Sequence, residues 1–322
     1  MTSQTGSTGA KRPNRTAATE QAANSRPRLT IPGLRARKVR DGHDPLVMVT
    51  AYDAPTARLA FEAGVDLILV GDSVGTALLG YESTVPVTLD DILHHCRAVR
   101  RGAPAMHIVA DLPFMTYQVS DQQAVANAGR LLKEGGADAV KLEGGTRLVD
   151  RVTAIVRAGI PVVGHIGLTP QTAGTLGGLK VQGRDLDSAR GLIDDAVAIE
   201  RAGAHLLVIE VVPTELGSLI TDRVSIPTIG IGAGAGCDGQ VLVSTDLLGL
   251  DERFSPKFVR RYARIGPTIR DAFGSFASDV RSGAYPASSE AFVMKAGIAE
   301  QLGATIDTLD PPDAPDAPDG AL

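Results

Sequence analysis

The sequence predicts a (β/α)8 barrel, and three observations predict it. Short β-branched runs alternate with longer amphipathic segments, the pattern of βα units and a parallel sheet. Eight such runs occur between two tails of biased composition. The 322 residues, 43% of them hydrophobic, can hold one barrel of about 250 residues as a single domain. A doubly wound open sheet is the main alternative.

Residues 1–27 are rich in Ser, Thr, Ala and Asn and contain no Leu, Ile, Val or Phe, so they read as a disordered tail. They cannot form the amphipathic face of a transit peptide or the apolar core of a secretion signal. The barrel domain is expected over 28–303, and Leu34 to Arg40 can form a helix before the first strand. The strands are expected at Leu46–Thr50, Asp66–Gly71, Ala105–Ala110, Ala137–Leu142, Pro161–Ile166, His205–Val211, Ile226–Ile231 and Val241–Thr245. Helical spacing of apolar residues marks Ala54–Ala63, Thr88–Arg101, Ser120–Gly135, Arg147–Ala158, Leu186–Ala202 and Thr214–Thr221. The seventh connection is short and Gly-rich, and a further helical stretch begins near Ser255. In 304–322 five Asp alternate with four Pro, a self-repelling, helix-breaking composition that predicts a second disordered tail.

Composition also excludes function classes. No Trp, few other aromatics and a net charge of −5 leave neither a stacking platform nor a general attraction for nucleic acid or anionic lipid. Cys96 and Cys237 are too few for a disulfide framework or a thiolate zinc site, which fits a reducing cytoplasm. No apolar run approaches the roughly 18 residues of a membrane span.

In a parallel sheet of this class the site lies beyond the carboxyl ends of the strands. There the sequence places Asp72 and Ser73 after strand two, Asp111 after strand three, Lys141 and Glu143 on strand four, His165 on strand five and Glu210 on strand six. Period two puts Ala139, Lys141 and Glu143 on one face, and Val208 with Glu210 on another; if both faces point inward, the charges meet at the barrel mouth. By the same alternation Asp72 shares a face with Ile68 and Val70, and Asp111 with His107 and Val109. Each of Asp72, Ser73 and Asp111 taken singly also reads as a helix cap, and Lys141 and Glu143 as a simple pair. Glu210 on a Leu/Val/Ile strand resists that reading, because an unpaired buried carboxylate costs several kcal/mol. The hard oxygens of Asp72, Asp111 and Glu143 suit Mg2+, which would polarise a 2-oxo acid while Glu210 takes a proton from carbon three. Lys141 either holds the substrate carboxylate or attacks the ketone as a Schiff-base amine; the neighbouring Glu143 keeps it charged and favours holding.

Weaker signals remain. Gly234 to Gly239 spells G-x-G-x-x-G, but a strand follows it, so it reads as a tight turn and not a dinucleotide fingerprint. His107 reads as a hydrogen-bonded core residue, His94 and His95 as surface or core, and His165 as a secondary ligand-contact candidate. The segment 74–87 is long enough for a lid, and Lys180 and Arg184 sit in a Gly-rich run that could meet an anionic cofactor tail.

From about Leu29 to Pro286 the chain resembles the ketopantoate hydroxymethyltransferases. The resemblance rests on TAYDAPTAR, LVGDSVG, STVPVT, RRGAP, ADLPFM, VKLEGG, GHIGLTPQ, KVQGR, GIGAG and CDGQVLV, in that order. It implies a (β/α)8 enzyme of pantothenate biosynthesis that transfers a one-carbon unit from 5,10-methylenetetrahydrofolate to 3-methyl-2-oxobutanoate, giving 2-dehydropantoate. It further implies Mg2+ ligands at Asp72, Asp111 and Glu143, oxo-acid contacts at Asp72, Ser73, Asp111 and Lys141, a proton acceptor at Glu210, and a cytoplasmic homo-oligomer, commonly a decamer. The chain departs from the family pattern at Ala54, Leu179, Ser244–Thr245 and in the Ala-Ser-Ser-Glu stretch after Pro286. The competing readings are a related Mg2+-dependent barrel aldolase or lyase on another 2-oxo acid, and a non-catalytic oxo-acid-binding barrel.

Overall fold

The computed structural model describes residues 28–251 and 256–306, and the chain divides into two compact units between Arg264 and Ile265. The expected tail 1–27 and residues 307–322 of the other lie outside the described residues.

The first unit is a closed barrel of eight parallel strands in sequential order. The strands are β1 (Leu46–Thr50), β2 (Leu67–Val70), β3 (His107–Asp111), β4 (Ala139–Glu143), β5 (Val162–Gly167), β6 (Leu206–Glu210), β7 (Thr228–Ile231) and β8 (Gly239–Leu242). β8 closes on β1 with Leu46 opposite Gly239 and Met48 opposite Val241. Alternate residues fill the interior: Met48, Leu69, Val109, Ala139, Val163 and Val208 belong to one buried cluster. Their neighbours Ile68, Val140, Val162 and Leu207 join a second cluster with helix residues such as Ile92 and Ile199. A barrel strand buried on both faces has no polar side to show, which is why these runs read as nearly continuous apolar stretches.

The helices follow their sequence signals. α1 (Ile31–Arg35), α2 (Ala54–Glu62), the one-turn α3 (Val74–Ala77) and α4 (Leu89–Gly102) come first. Thr88 caps α4 in a reciprocal box with Asp91, and Leu89, Ile92, Leu93, Cys96 and Val99 form its buried stripe. α5 (Asp121–Lys133), α6 (Val149–Arg157), α7 (Leu186–Arg201) and α8 (Thr214–Arg223) complete the βα units. Asp185 and Ser188 box the start of α7 in the same way. No helix lies between β7 and β8; Gly234 turns there at φ +81°, and a Cβ on Gly239 would lie 2.5 Å from the Leu46 carbonyl. The G-x-G-x-x-G string is therefore a close-approach turn leading straight into a strand.

Most strand bounds of the barrel shift by one or two residues, and two segments change more. β8 ends at Leu242 rather than Thr245, and Ser244–Leu248 forms α9 instead, its first turn held by the Ser244 N–H donating to Thr50 Oγ1 at 2.9 Å. The helix expected over Leu34–Arg40 is α1 plus a 3-10 turn at Val39–Asp41, and the break frees Lys38 to turn inward. Leu34 plugs the lower end of the barrel among Leu46, Met48 and Leu67. Beside it Lys38 makes a buried ion pair with Asp238 at 2.8 Å and donates to the carbonyls of Thr221 and Ile226. His107 is indeed a hydrogen-bonded core residue, its Nδ1 3.1 Å from the Leu29 carbonyl, with the His205 ring 6.3 Å away.

The second unit contains α10 (Ile265–Ser282) and α11 (Ile298–Ile306), so the helix expected from near Ser255 begins at Ile265. Ile269, Phe273, Phe276 and Val280 form a stripe along one side of α10 and are exposed. Among the described residues no helix is long and apolar enough to cross a membrane.

Candidate active site

Barrel register explains how the site assembles. Asp111 is paired with Lys141 across β3 and β4, and Glu143 with His165 across β4 and β5, so inward-facing charges become neighbours. The Lys141 ammonium lies 3.1 Å from Asp111 Oδ1, 3.8 Å from Glu143 Oε1 and 3.2 Å from His165 Nδ1. His165 stands between two carboxylates, with Nδ1 3.5 Å from Glu143 Oε1 and Nε2 3.2 Å from Glu210 Oε2.

Asp72 arrives by a different route. The alternation of β2 would send it to the helix-packed face with Ile68 and Val70, but β2 ends at Val70 and the chain turns. Val74 N–H donates to Gly71 O, and Gly75 N–H donates to Asp72 O. The turn delivers the Asp72 N–H to Asp111 Oδ2 at 2.9 Å. A side chain at Gly71 would crowd Ser73 Oγ at 2.9 Å and Asp111 Oδ2 at 3.3 Å. Ser73 shares a 2.8 Å hydrogen bond with the Tyr52 hydroxyl.

All the candidate residues thus line one cavity of about 100 Å3, together with Thr50, Thr84, Leu69, Val208, Ile231 and Val241. The Thr84 hydroxyl is buried without a protein partner. Glu210 differs from its companions in access: its side chain is 17% exposed, against 3% for Asp111 and 2% for Glu143. The residue after it, Val211, has φ +49°, a region a β-branched residue enters only at a cost of about 1–3 kcal/mol. Hydrogen bonds on both sides hold it there, from Val211 N–H to Ile231 O and from Gln182 N–H to Val211 O.

Burial, with Glu143 and Asp111 close by, pushes the Asp72 carboxyl well above the usual carboxylate range. Burial also raises Asp111, against the pull of Lys141 and the Asp72 N–H. Burial works against the charge of Glu143 too, yet His165, Lys141 and the Gln171 N–H together hold its carboxyl below the usual range. Burial disfavours the Lys141 ammonium, but Asp111, Glu143 and Asp72 outweigh it and raise its pKa, so Lys141 is a cation and not a free amine nucleophile. Burial and Lys141 oppose a charge on His165; Glu143 and Glu210 prevail and push it up to about 9.

These residues suit a divalent cation. Three buried carboxylates crowd one ammonium, and their mutual repulsion adds to the burial that raises Asp72 and Asp111. Asp111 Oδ1 meets Lys141 as an ion pair without hydrogen-bond alignment, leaving a buried oxygen unsatisfied. Among the described residues no three His, Cys, Asp or Glu side chains cage a metal by themselves. Mg2+ needs no such cage, because it takes one or two carboxylates plus substrate and water.

Sequence reasoning missed Gln171 and Tyr117. Gln171, in the 3-10 turn Pro170–Thr172, donates to Asp72 Oδ2 and Glu143 Oε2, and Tyr117 donates to its amide oxygen. Both lie in loops, where no periodicity marks an inward side chain.

Fold and site together define a (β/α)8-barrel enzyme with an acid–base cluster at the carboxyl ends of its strands. A family model described as ketopantoate hydroxymethyltransferase matches residues 28–288. The chain belongs to that family, and with it to the transferases. A 3-methyl-2-oxobutanoate hydroxymethyltransferase of Heliobacterium modesticaldum is 54% identical over 83% of this chain and 96% of its own. One of Geobacillus kaustophilus is 53% identical over 80% of this chain and 92% of its own. Among solved structures, a 2,3-dimethylmalate lyase of the PEP mutase/isocitrate lyase superfamily aligns with a TM-score of 0.53 at 16% identity, over 86% of this chain and 98% of that one. Phosphoenolpyruvate phosphomutase of Streptomyces platensis aligns with a TM-score of 0.51 at 16% identity, over 91% and 97%. These two share the fold.

Proposed function

We propose that the protein catalyses aldol-type transfer of a hydroxymethyl group from 5,10-methylenetetrahydrofolate to 3-methyl-2-oxobutanoate, giving 2-dehydropantoate, with Mg2+ as cofactor. One observation carries this reading: an accessible, histidine-paired glutamate faces a buried Asp72–Asp111–Lys141–Glu143 cluster across one cavity. The apolar wall of Leu69, Val208, Ile231 and Val241 supports a branched aliphatic substituent on the substrate.

Lys141 binds the substrate carboxylate with a charge-assisted hydrogen bond, and Ser73 and Asp111 complete the polar contacts. Asp72, Asp111 and Glu143 would hold Mg2+, which when bound supplies Lewis-acid polarisation of the keto group. Glu210 accepts the proton from carbon three. His165 Nε2 orients that carboxylate from 3.2 Å, and the strained backbone at Val211 fixes its direction. The methylene carbon of the donor exchanges its two C–N bonds for one bond to carbon three and one to a hydroxyl derived from water, and tetrahydrofolate leaves with two N–H groups, their protons being the one taken from carbon three and one from the water.

The test is formation of 2-dehydropantoate from both substrates with Mg2+, followed by loss of product on chelation. No product with the folate donor, but turnover of another 2-oxo acid, would move the assignment to a barrel aldolase or lyase. The apolar stripe of α10 supports self-association, which light scattering of the purified full chain would measure as a multiple of 33.5 kDa.

A further inference from the structure

We infer that Gln171 is the positioning residue of this site, fixing the carboxylates of Asp72 and Glu143 toward the ligand, and that Tyr117 sets its orientation. The inference rests on the proposed role of those two carboxylates and goes beyond it by naming what aims them.

Gln171 is 4% exposed, and its backbone N–H and both polar atoms of its side-chain amide are committed. Its Nε2 donates to Asp72 Oδ2 at 2.8 Å and to the Leu112 carbonyl at 3.0 Å. Its backbone N–H donates to Glu143 Oε2 at 2.9 Å, and its Oε1 accepts from the Tyr117 hydroxyl at 2.6 Å. The Tyr117 oxygen in turn accepts the Glu143 N–H at 3.2 Å. The amide cannot be reversed. A carbonyl only accepts, so Leu112 requires the amide nitrogen on its side, and the second N–H then points at Asp72. One residue thereby ties the ends of β2, β3 and β4 to the loop after β5.

Two consequences follow. Gln171 holds each carboxylate by one oxygen, Asp72 Oδ2 and Glu143 Oε2, which fixes its rotamer and leaves the second oxygen, in Glu143 the one beside His165 and Lys141, without a bond to Gln171. A neutral amide does this without adding positive charge, whereas a Lys or Arg in its place would compete with a bound cation. Outer residues that aim metal-binding carboxylates are worth about 10- to 100-fold in affinity or activity.

The test uses the full-length protein with Gln171→Met, which keeps length and removes the amide, and Tyr117→Phe, which removes only the hydroxyl. Binding of Mn2+ alone is read from the electron paramagnetic resonance of the free ion, beside thermal unfolding and deuterium exchange at carbon three of the oxo acid. Gln171→Met is expected to raise the Mn2+ Kd about 10-fold or more, with Tyr117→Phe moving it the same way by less. Exchange should slow in step at subsaturating metal and recover on saturation. Unchanged Mn2+ affinity in both variants, with only the melting temperature lowered, would overturn the inference in favour of mere packing. If Gln171→Met does not fold, Tyr117→Phe decides by the same criterion. Wild-type protein that neither binds Mn2+ nor exchanges deuterium would overturn the proposed function as well, so the two failures are distinguishable.

Discussion

Lys141→Met tests the electrostatics of the mouth. The ammonium lies 3.1 Å from one Asp111 oxygen and 3.8 Å from one Glu143 oxygen, with 4% of its side chain exposed. At an effective dielectric constant near 20 those separations are worth about 5 and about 4 kcal/mol of attraction, offset by the cost of burying the charges. Removing the cation leaves two buried carboxylates without it, so a net loss of about 3–5 kcal/mol is expected. At about 2–4 °C per kcal/mol for a domain of this size, the melting temperature should fall by about 10 °C. Catalysis should suffer separately, because the substrate carboxylate loses a charged partner: kcat/KM is expected to drop about 100- to 1000-fold. Lys141→Arg keeps the charge and should recover most of the stability. Differential scanning calorimetry and steady-state kinetics measure the two effects. A melting temperature within 2 °C and kcat/KM within about threefold of wild type would refute the pairing. A borohydride-trapped substrate adduct on Lys141 would refute its role as a cationic anchor.

Further predictions concern the lower end of the barrel. Burial lowers the pKa of His107 to about 4 and that of His205 to about 3, with Arg28, Arg35 and Arg100 contributing. Both values lie below the unfolded value of about 6.5, so their contribution is complete above pH 6.5 and is lost as pH falls toward 3. His107 alone accounts for on the order of 3 kcal/mol. Urea unfolding at several pH values should show His205→Leu losing up to one proton from the slope of stability against pH in that window; an unchanged slope would contradict the assignment. Lys38→Met removes one half of a buried pair and should cost about 3–5 kcal/mol. Its KM should stay within twofold of wild type, since Lys38 lies at the opposite end of the strands; a large KM effect would show that the two ends are coupled.

The parts of this molecule legible in the sequence are those with a period. Lys141, Glu143 and Glu210 could be placed because strict alternation carries an inward face from Ala139 or Val208 to the strand end. Position alone marks Asp72, while its parity points the wrong way, because a turn at Gly71 cancels the alternation of β2. The helices with good caps, such as α4 and α7, fell close to their expected bounds. β8 did not, because Val243 to Thr245 suit a strand by composition while a tertiary hydrogen bond from Ser244 to Thr50 starts a helix there. Gln171 carries no local signal, since its role exists only where loops from distant strands meet. The string GHIGLTPQ contains it, yet nothing in that string says which residue turns inward.

The central claim is that Glu210 removes a proton from carbon three of the oxo acid at a site prepared by Asp72, Asp111, Lys141 and Glu143. Proton NMR in D2O, with 3-methyl-2-oxobutanoate, Mg2+ and no folate, isolates that step. Wild-type protein should exchange the carbon-three proton in a Mg2+-dependent manner, and Glu210→Gln should slow exchange by about 100-fold or more. Exchange that persists at the wild-type rate in Glu210→Gln would assign the base elsewhere and contradict the account.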